Sequence, residues 1–141
     1  MGTNLHPLIM PLLSMMLLTL LVWCLMYWRR IGEMQRRKMN PQQLAMPEAR
    51  TLLSERAQQA SNNLTNLFEL PVLFYALCLL DVGIGRVDPV MTALAWVFVG
   101  FRVLHSGIHC SLNHVWSRFS CYVLAALALW GMLLRLLWLA L

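Results

Sequence analysis

The sequence predicts an all-α fold, a single bundle of four transmembrane helices spanning 1–141, and three observations predict it. Hydrophobic residues make up 60% of the chain, charged residues only 12%, and mean hydropathy is +0.63. A soluble domain of 141 residues cannot hide that much Leu, Met and Trp in its own core. Leu8 to Trp28 contains no charged residue over a length that just crosses ~30 Å of hydrocarbon, and three further apolar stretches follow it. Finally, the basic residues gather between the first and second stretches, the asymmetry that sets the orientation of a polytopic membrane protein.

The first helix is expected over about 7–28, with Trp23, Tyr27 and Trp28 placed for an interfacial aromatic belt. It reads as a retained helix, because "MGTNLHPLIMP" has no basic n-region, the apolar run is too long for a signal peptide and no small-x-small site follows. His6 stands where N-myristoylation of Gly2 would require Ser or Thr.

The loop over about 29–55 carries Arg29, Arg30, Arg36, Arg37, Lys38 and Arg50, with Arg56 just beyond, against Glu33, Glu48 and Glu55. The turn "DVGIGRVDP" holds one Arg and two Asp. The positive-inside rule therefore puts the first loop in the cytoplasm and both termini outside. The net charge of +5 is mostly this topological signal. A nucleic-acid partner is excluded, since the basic stretch has no aromatic interleaving and lies against a bilayer. Membrane lipid, anionic lipid in particular, is the expected contact.

The second helix is expected over about 48–82, resuming after Pro41 with Pro47 at its first turn. Its core, "SNNLTNLFELPVLFYALCLL", puts three asparagines, Glu69 and Pro71 into a segment headed for lipid. Gly83 and Gly85 make the outer turn and Asp88-Pro89 opens the third helix, about 89–111. The fourth runs over about 115–139, where Arg135 lies one turn from the outer end and can snorkel there. Cys24, Cys78, Cys110 and Cys121 form no C-x-x-C pair and read as small buried hydrophobes.

Polar residues recur along these helices at helical spacing. Arg56, Gln59, Asn62, Asn63, Asn66 and Glu69 are three or four apart and predict one polar face on helix two. Arg102, His105, His109 and Asn113 repeat the pattern on helix three, and Arg118 and Tyr122 open helix four. An ionised group at membrane depth costs at least ~2.5 kcal/mol, so these side chains should face protein or water. A single Asn would be interhelical glue. Three stripes converging at one membrane face predict a hydrated, cationic pocket opening to the cytoplasm, with Glu69 paired to Arg102. Pro71 is expected to free a carbonyl near Leu67 and to bend the helix just past the stripe.

"ERAQQASNNLTNLFELPVLF" resembles the second-helix signature of the MAPEG superfamily, the membrane-associated proteins in eicosanoid and glutathione metabolism. Asn66, Glu69 and Pro71 fit that signature. "GFRVLHSGIHCSLN" is similar to its third-helix pattern through Gly100, Arg102 and His105, with His109 where a Tyr is usual, and "VWSRFS" resembles the opening of the fourth helix at Arg118. The resemblance, to the bacterial branch of the family, implies a homotrimer of four-helix subunits in a bacterial inner membrane, with glutathione held near the cytoplasmic side. Arg118 would activate its thiolate catalytically. Arg56, Gln59, Asn62, Asn63, Asn66, Glu69, Arg102, His105, His109 and Tyr122 would line the binding site, and a lipophilic small molecule would arrive through the bilayer. The activity implied is that of a glutathione transferase or peroxidase.

Two other readings stay open. Gln59, Ser61, Asn62 and Asn63 stand where enzymes of the family often carry arginines, which suits a non-catalytic trimeric subunit or a lipid-binding protein of the same fold. His105 and His109, four apart, could share a metal or haem, with His114 and Cys110 nearby. No carboxylate or thiolate stands at matched spacing, so no metal ligands are assigned.

Overall fold

A computed structural model of the chain describes residues 5–40, 42 and 52–141. The helices are α1 (Ile9–Arg37), α2 (Glu55–Leu67), α3 (Leu70–Ile84), α4 (Pro89–Cys110) and α5 (Val115–Ala140). They make four segments long and apolar enough to cross a membrane, since α2 and α3 form one such segment, Glu55–Ile84. No more than 39% of any of their most apolar stretches is buried inside the chain. Leu13, Leu17, Leu20, Leu104, Leu127 and Leu134 lie exposed, which is stable only against lipid or another protein.

Two helix bounds differ from those read off the sequence. The first helix continues past Trp28 to Arg37, where Lys38 closes it in the left-handed conformation. Its basic extension has no helix-breaker before Pro41, so propensity carries it on. The second segment was expected from 48. Its described part begins at Glu55, Ser54 has extended backbone, and 48–51, Arg50 among them, lie outside the described residues.

Pro71 explains the division between α2 and α3. It has no N–H to give and its ring clashes with the carbonyl four residues earlier, so helical geometry fails at Phe68 and Glu69 (φ −96°, ψ −104°) and resumes with Pro in the first turn of α3. Gly85, at φ 71°, ends α3 in a conformation that a side chain would oppose. Asp88 then caps α4, its carboxylate accepting the Val90 N–H at 3.0 Å ahead of Pro89.

α4 packs most extensively on α5, with α1 and α3 completing the core. Phe74 and Phe98 stack at 4.5 Å and 15° inside a layer of Met15, Met91, Ala95, Ala125, Leu129 and Met132. Two ends can be distinguished. The basic end holds the Arg29–Lys38 extension of α1, the start of α2 and the α4–α5 turn; the opposite end holds the α3–α4 loop.

At the opposite end Arg135 does not merely snorkel. Its Nε donates to Asp88 Oδ2 at 2.7 Å, joining the top of α5 to the start of α4. Arg86 reaches the Leu139 carbonyl at 3.0 Å, and the His6 ring meets the Arg86 carbonyl at 2.7 Å. The Arg135 hydrogen bond is the main reason that the Asp88 carboxyl sits below the usual carboxylate range. With the folded value depressed, the pair's stabilisation is present above the unfolded Asp value of about 4 and lost as pH falls through the folded one. Asp88→Asn keeps the cap and removes the charge, so it should lower the melting midpoint in detergent by a few degrees at pH 7. The difference from wild type should shrink on acidification below about pH 4. A constant difference across that range would contradict the assignment.

Candidate functional site

The polar residues of α2 separate because steps of three along a helix fall about 60° short of a full turn. Ala57, Ala60, Asn63 and Leu67 form its buried face, so Asn63 points into the bundle while Asn62 lies exposed on the flank. Asn63 is fully buried. Its Oδ1 accepts from Ser106 Oγ at 3.2 Å and its Nδ2 donates to Cys110 Sγ at 3.3 Å, which locks α2 to α4. Asn66 Nδ2 turns back to the Asn62 carbonyl at 3.1 Å.

Arg102 is the largest fully buried side chain among the described residues, at 0% exposure. Its Nη2 donates to the backbone carbonyl of Asn66 at 2.8 Å. That carbonyl is available because the break at Phe68–Glu69 removes the regular helical N–H that would have taken it, and the Glu69 N–H contact that remains is long, at 3.5 Å. The guanidinium lies 6.0 Å from the centre of the Tyr122 ring, and its Nε and Nη1 are buried without a partner among the described residues.

This geometry corrects one sequence expectation and locates another. Glu69 does not pair with Arg102. It sits in the break itself, exposed, and the ion pairs among the described residues are Glu33–Arg37 and Asp88–Arg135. The carbonyl put to use by Pro71 is that of Asn66, one residue before Leu67, because the helix opens two residues ahead of the proline.

The α4–α5 turn aims the remaining groups. Asn113 takes a left-handed conformation and its N–H returns to the Ile108 carbonyl at 2.8 Å, reversing the chain so that α5 starts against the end of α4. His114 then caps α5, its Nδ1 accepting from the Ser117 N–H. One turn into α5, Arg118 donates Nη1 to Asn113 Oδ1 at 2.6 Å and stands 3.4 Å from His109 Nε2. His105 Nδ1 donates to the Arg118 carbonyl at 3.0 Å, since a carbonyl oxygen only accepts. In the neutral ring Nε2 is thereby left with its lone pair, buried and without a partner among the described residues.

Asn66, His105, Arg118 and Tyr122 thus line one cleft of about 210 Å³, closed on its apolar side by Val115 and Phe119. Arg102 lies behind Tyr122, and His109 touches Arg118. Five expected site residues stand apart. Arg56 lines a different cleft beside α1, Gln59 is half-buried with its Oε1 unpartnered, Asn62 and Glu69 are exposed on the α2 flank, and Asn63 serves helix packing. Val115 and Phe119 escaped a search for polar residues, although they lie three before and one after Arg118. Ser106 and Cys110, the partners of Asn63, each stand one residue after a histidine of the stripe, His105 and His109, and so off its expected face.

His105 and His109 have ring centres 5.7 Å apart, but His114 is committed to the α5 cap. Among the described residues no three His, Cys, Asp or Glu side chains converge on a point that could hold a metal ion.

A family model described as the MAPEG family matches residues 8–138, and the chain belongs to that family. No curated protein and no solved structure matches it. With four apolar helices of spanning length, it is an integral membrane protein.

Because Arg102 is a buried cation with two unpartnered nitrogens, its charge costs the fold more than its bulk contributes. Arg102→Met should therefore melt at or above the wild-type midpoint, whereas Arg102→Ala, which leaves a void, should melt several degrees lower. Equal losses in both variants would show that the guanidinium is a net stabiliser.

Proposed function

We propose that this MAPEG-family protein binds a glutathione-type thiol at the Asn66–His105–Arg118–Tyr122 cleft and presents it to lipophilic electrophiles entering from the bilayer. The observation carrying this reading is the convergence of an arginine, a histidine with a bare lone pair and a phenol, from two helices, on one cleft beside the Asn66 of a third. The residues fit one end of such a molecule. About 210 Å³ takes a thiol and its neighbouring atoms, below the ~300 Å³ at which ligand sites usually begin.

Glutathione, when bound, would supply a sulfur nucleophile and two carboxylates. Arg118 would hold negative charge on the sulfur, the form that reacts. His105 Nε2 is oriented by its Nδ1 bond to the Arg118 carbonyl and would accept the thiol proton. Phe119 and Val115 would keep water from the apolar side, where the electrophile comes in.

The rest of the tripeptide needs a second surface. Asn62, Thr65 and Glu69 form a polar flank on α2 and the adjoining break that is exposed in the single chain and lies within the membrane-spanning segment. Polar groups there demand covering. That supports a homotrimer in which a neighbouring subunit covers the flank and completes the site, with the basic end cytoplasmic and both termini on the other side of a bacterial inner membrane. A non-catalytic member of the family is the second reading, favoured by Arg118 already donating to Asn113 at 2.6 Å.

The test is thiol conjugation to an aryl halide, and reduction of a lipid hydroperoxide, by the purified protein in detergent. Turnover should be measurable, and Arg118→Gln should cut kcat/KM by about 100-fold. The same variant should lose the ultraviolet thiolate absorbance that wild type develops with glutathione. No turnover above a denatured control, together with no glutathione binding by calorimetry, would leave the non-catalytic reading.

A further inference from the structure

A larger cleft lies elsewhere. It occupies about 780 Å³ at the basic end between α1, the start of α2 and the last turn of α4, and Arg29, Arg36 and Arg56 stand on its walls. The one acidic side chain among the described residues on those walls, Glu33, is already engaged. Glu33 is only 4% exposed, its two oxygens accept the Ser54 N–H at 2.8 Å and the Ser54 hydroxyl at 2.6 Å, and Arg37 pairs with it at 2.9 Å. Among the described residues on its walls, no other carboxylate offsets the arginines.

The arginines divide their work. Arg29 is a strut, its Nη1 bound to the Arg56 carbonyl at 3.1 Å and its Nη2 to the Cys110 carbonyl at 2.9 Å, where α4 ends. Arg36 uses only Nε among the described residues, on the Gly32 carbonyl at 3.3 Å, which leaves both Nη groups for a ligand. Arg56 is exposed and makes no side-chain bond among the described residues. It stands in the first turn of α2, whose N-terminal N–H groups favour an anion at the same place. Trp28, 76% exposed on the rim, marks the level at which the cleft opens as the membrane–water interface.

We infer that this cleft is a second binding site, separate from the thiol cleft, that takes a phosphate-bearing anion between Arg36 and Arg56 at the depth of the lipid headgroups. Paired guanidinium groups match phosphate oxygens bidentately. The interfacial position makes a phosphodiester headgroup of an anionic lipid the occupant that reaches it without crossing water.

The test is retention of phosphatidylglycerol over phosphatidylcholine by native mass spectrometry of the full-length protein released from mixed-lipid nanodiscs. Wild type should retain phosphatidylglycerol, and Arg36→Gln/Arg56→Gln should retain roughly ten-fold less. Arg30→Gln/Lys38→Gln, which removes the same charge outside the cleft, should behave as wild type. Displacement by millimolar inorganic phosphate would assign free phosphate as the ligand; persistence against it would assign the lipid. Equal losses in the two double variants would reduce the effect to general surface charge and overturn the inference. So would an unchanged lipid count in Arg36→Gln/Arg56→Gln accompanied by lost glutathione binding. Failure of the thiol chemistry alone would leave this site standing.

Discussion

One hydrogen bond organises the basic half of the bundle: Arg102 Nη2 to the carbonyl of Asn66. A guanidinium within a membrane-spanning helix must find an acceptor, and in regular helices the backbone carbonyls are already taken. Pro71 resolves this by breaking the helix ahead of itself and exposing a carbonyl at the level where Arg102 arrives. That contact joins α4 to α2 beside the Asn63 bonds to Ser106 and Cys110, and it holds the buried Arg102 near the Tyr122 ring. The polar character of the segment and its helix-breaker are two parts of one arrangement.

The two ends satisfy their charges differently. At the opposite end, Asp88 and Arg135 neutralise each other while Asp88 also caps α4. At the basic end, Glu33 is consumed by Ser54 and Arg37, and the surplus is positive. A membrane protein with an excess of cations on one face is oriented by it and attracts anions to it. Both clefts at the basic end, one beside Arg118 and one between Arg36 and Arg56, draw on this same surplus.

The cleft beside Arg118 is small and flanked by exposed amide groups. Under the proposed function such a surface suits a subunit that is finished by its neighbour, with Arg118 and His105 supplied from within one chain and the remaining contacts from another. In the non-catalytic alternative the same polar surface would serve assembly alone.

Much of this was legible in the sequence. The uncharged stretches and the single basic loop determined a four-helix membrane protein, because hydropathy and charge are summed along the chain and need no knowledge of neighbours. The spacing of Arg102, His105 and His109 placed them together on one helix face, and they are all buried. Periodicity predicts a stripe only while the helix is unbroken and the steps do not drift. Stepping by threes carried Asn62 to the outside, and the break at Phe68–Glu69 turned Glu69 away from Arg102. Which carbonyl Arg102 would take, that Asn63 would bind Ser106 and Cys110, and that Arg29 would bind the Arg56 carbonyl beside a separate cleft were decided only by tertiary structure. Each depends on distances between helices, which packing sets and no local pattern records.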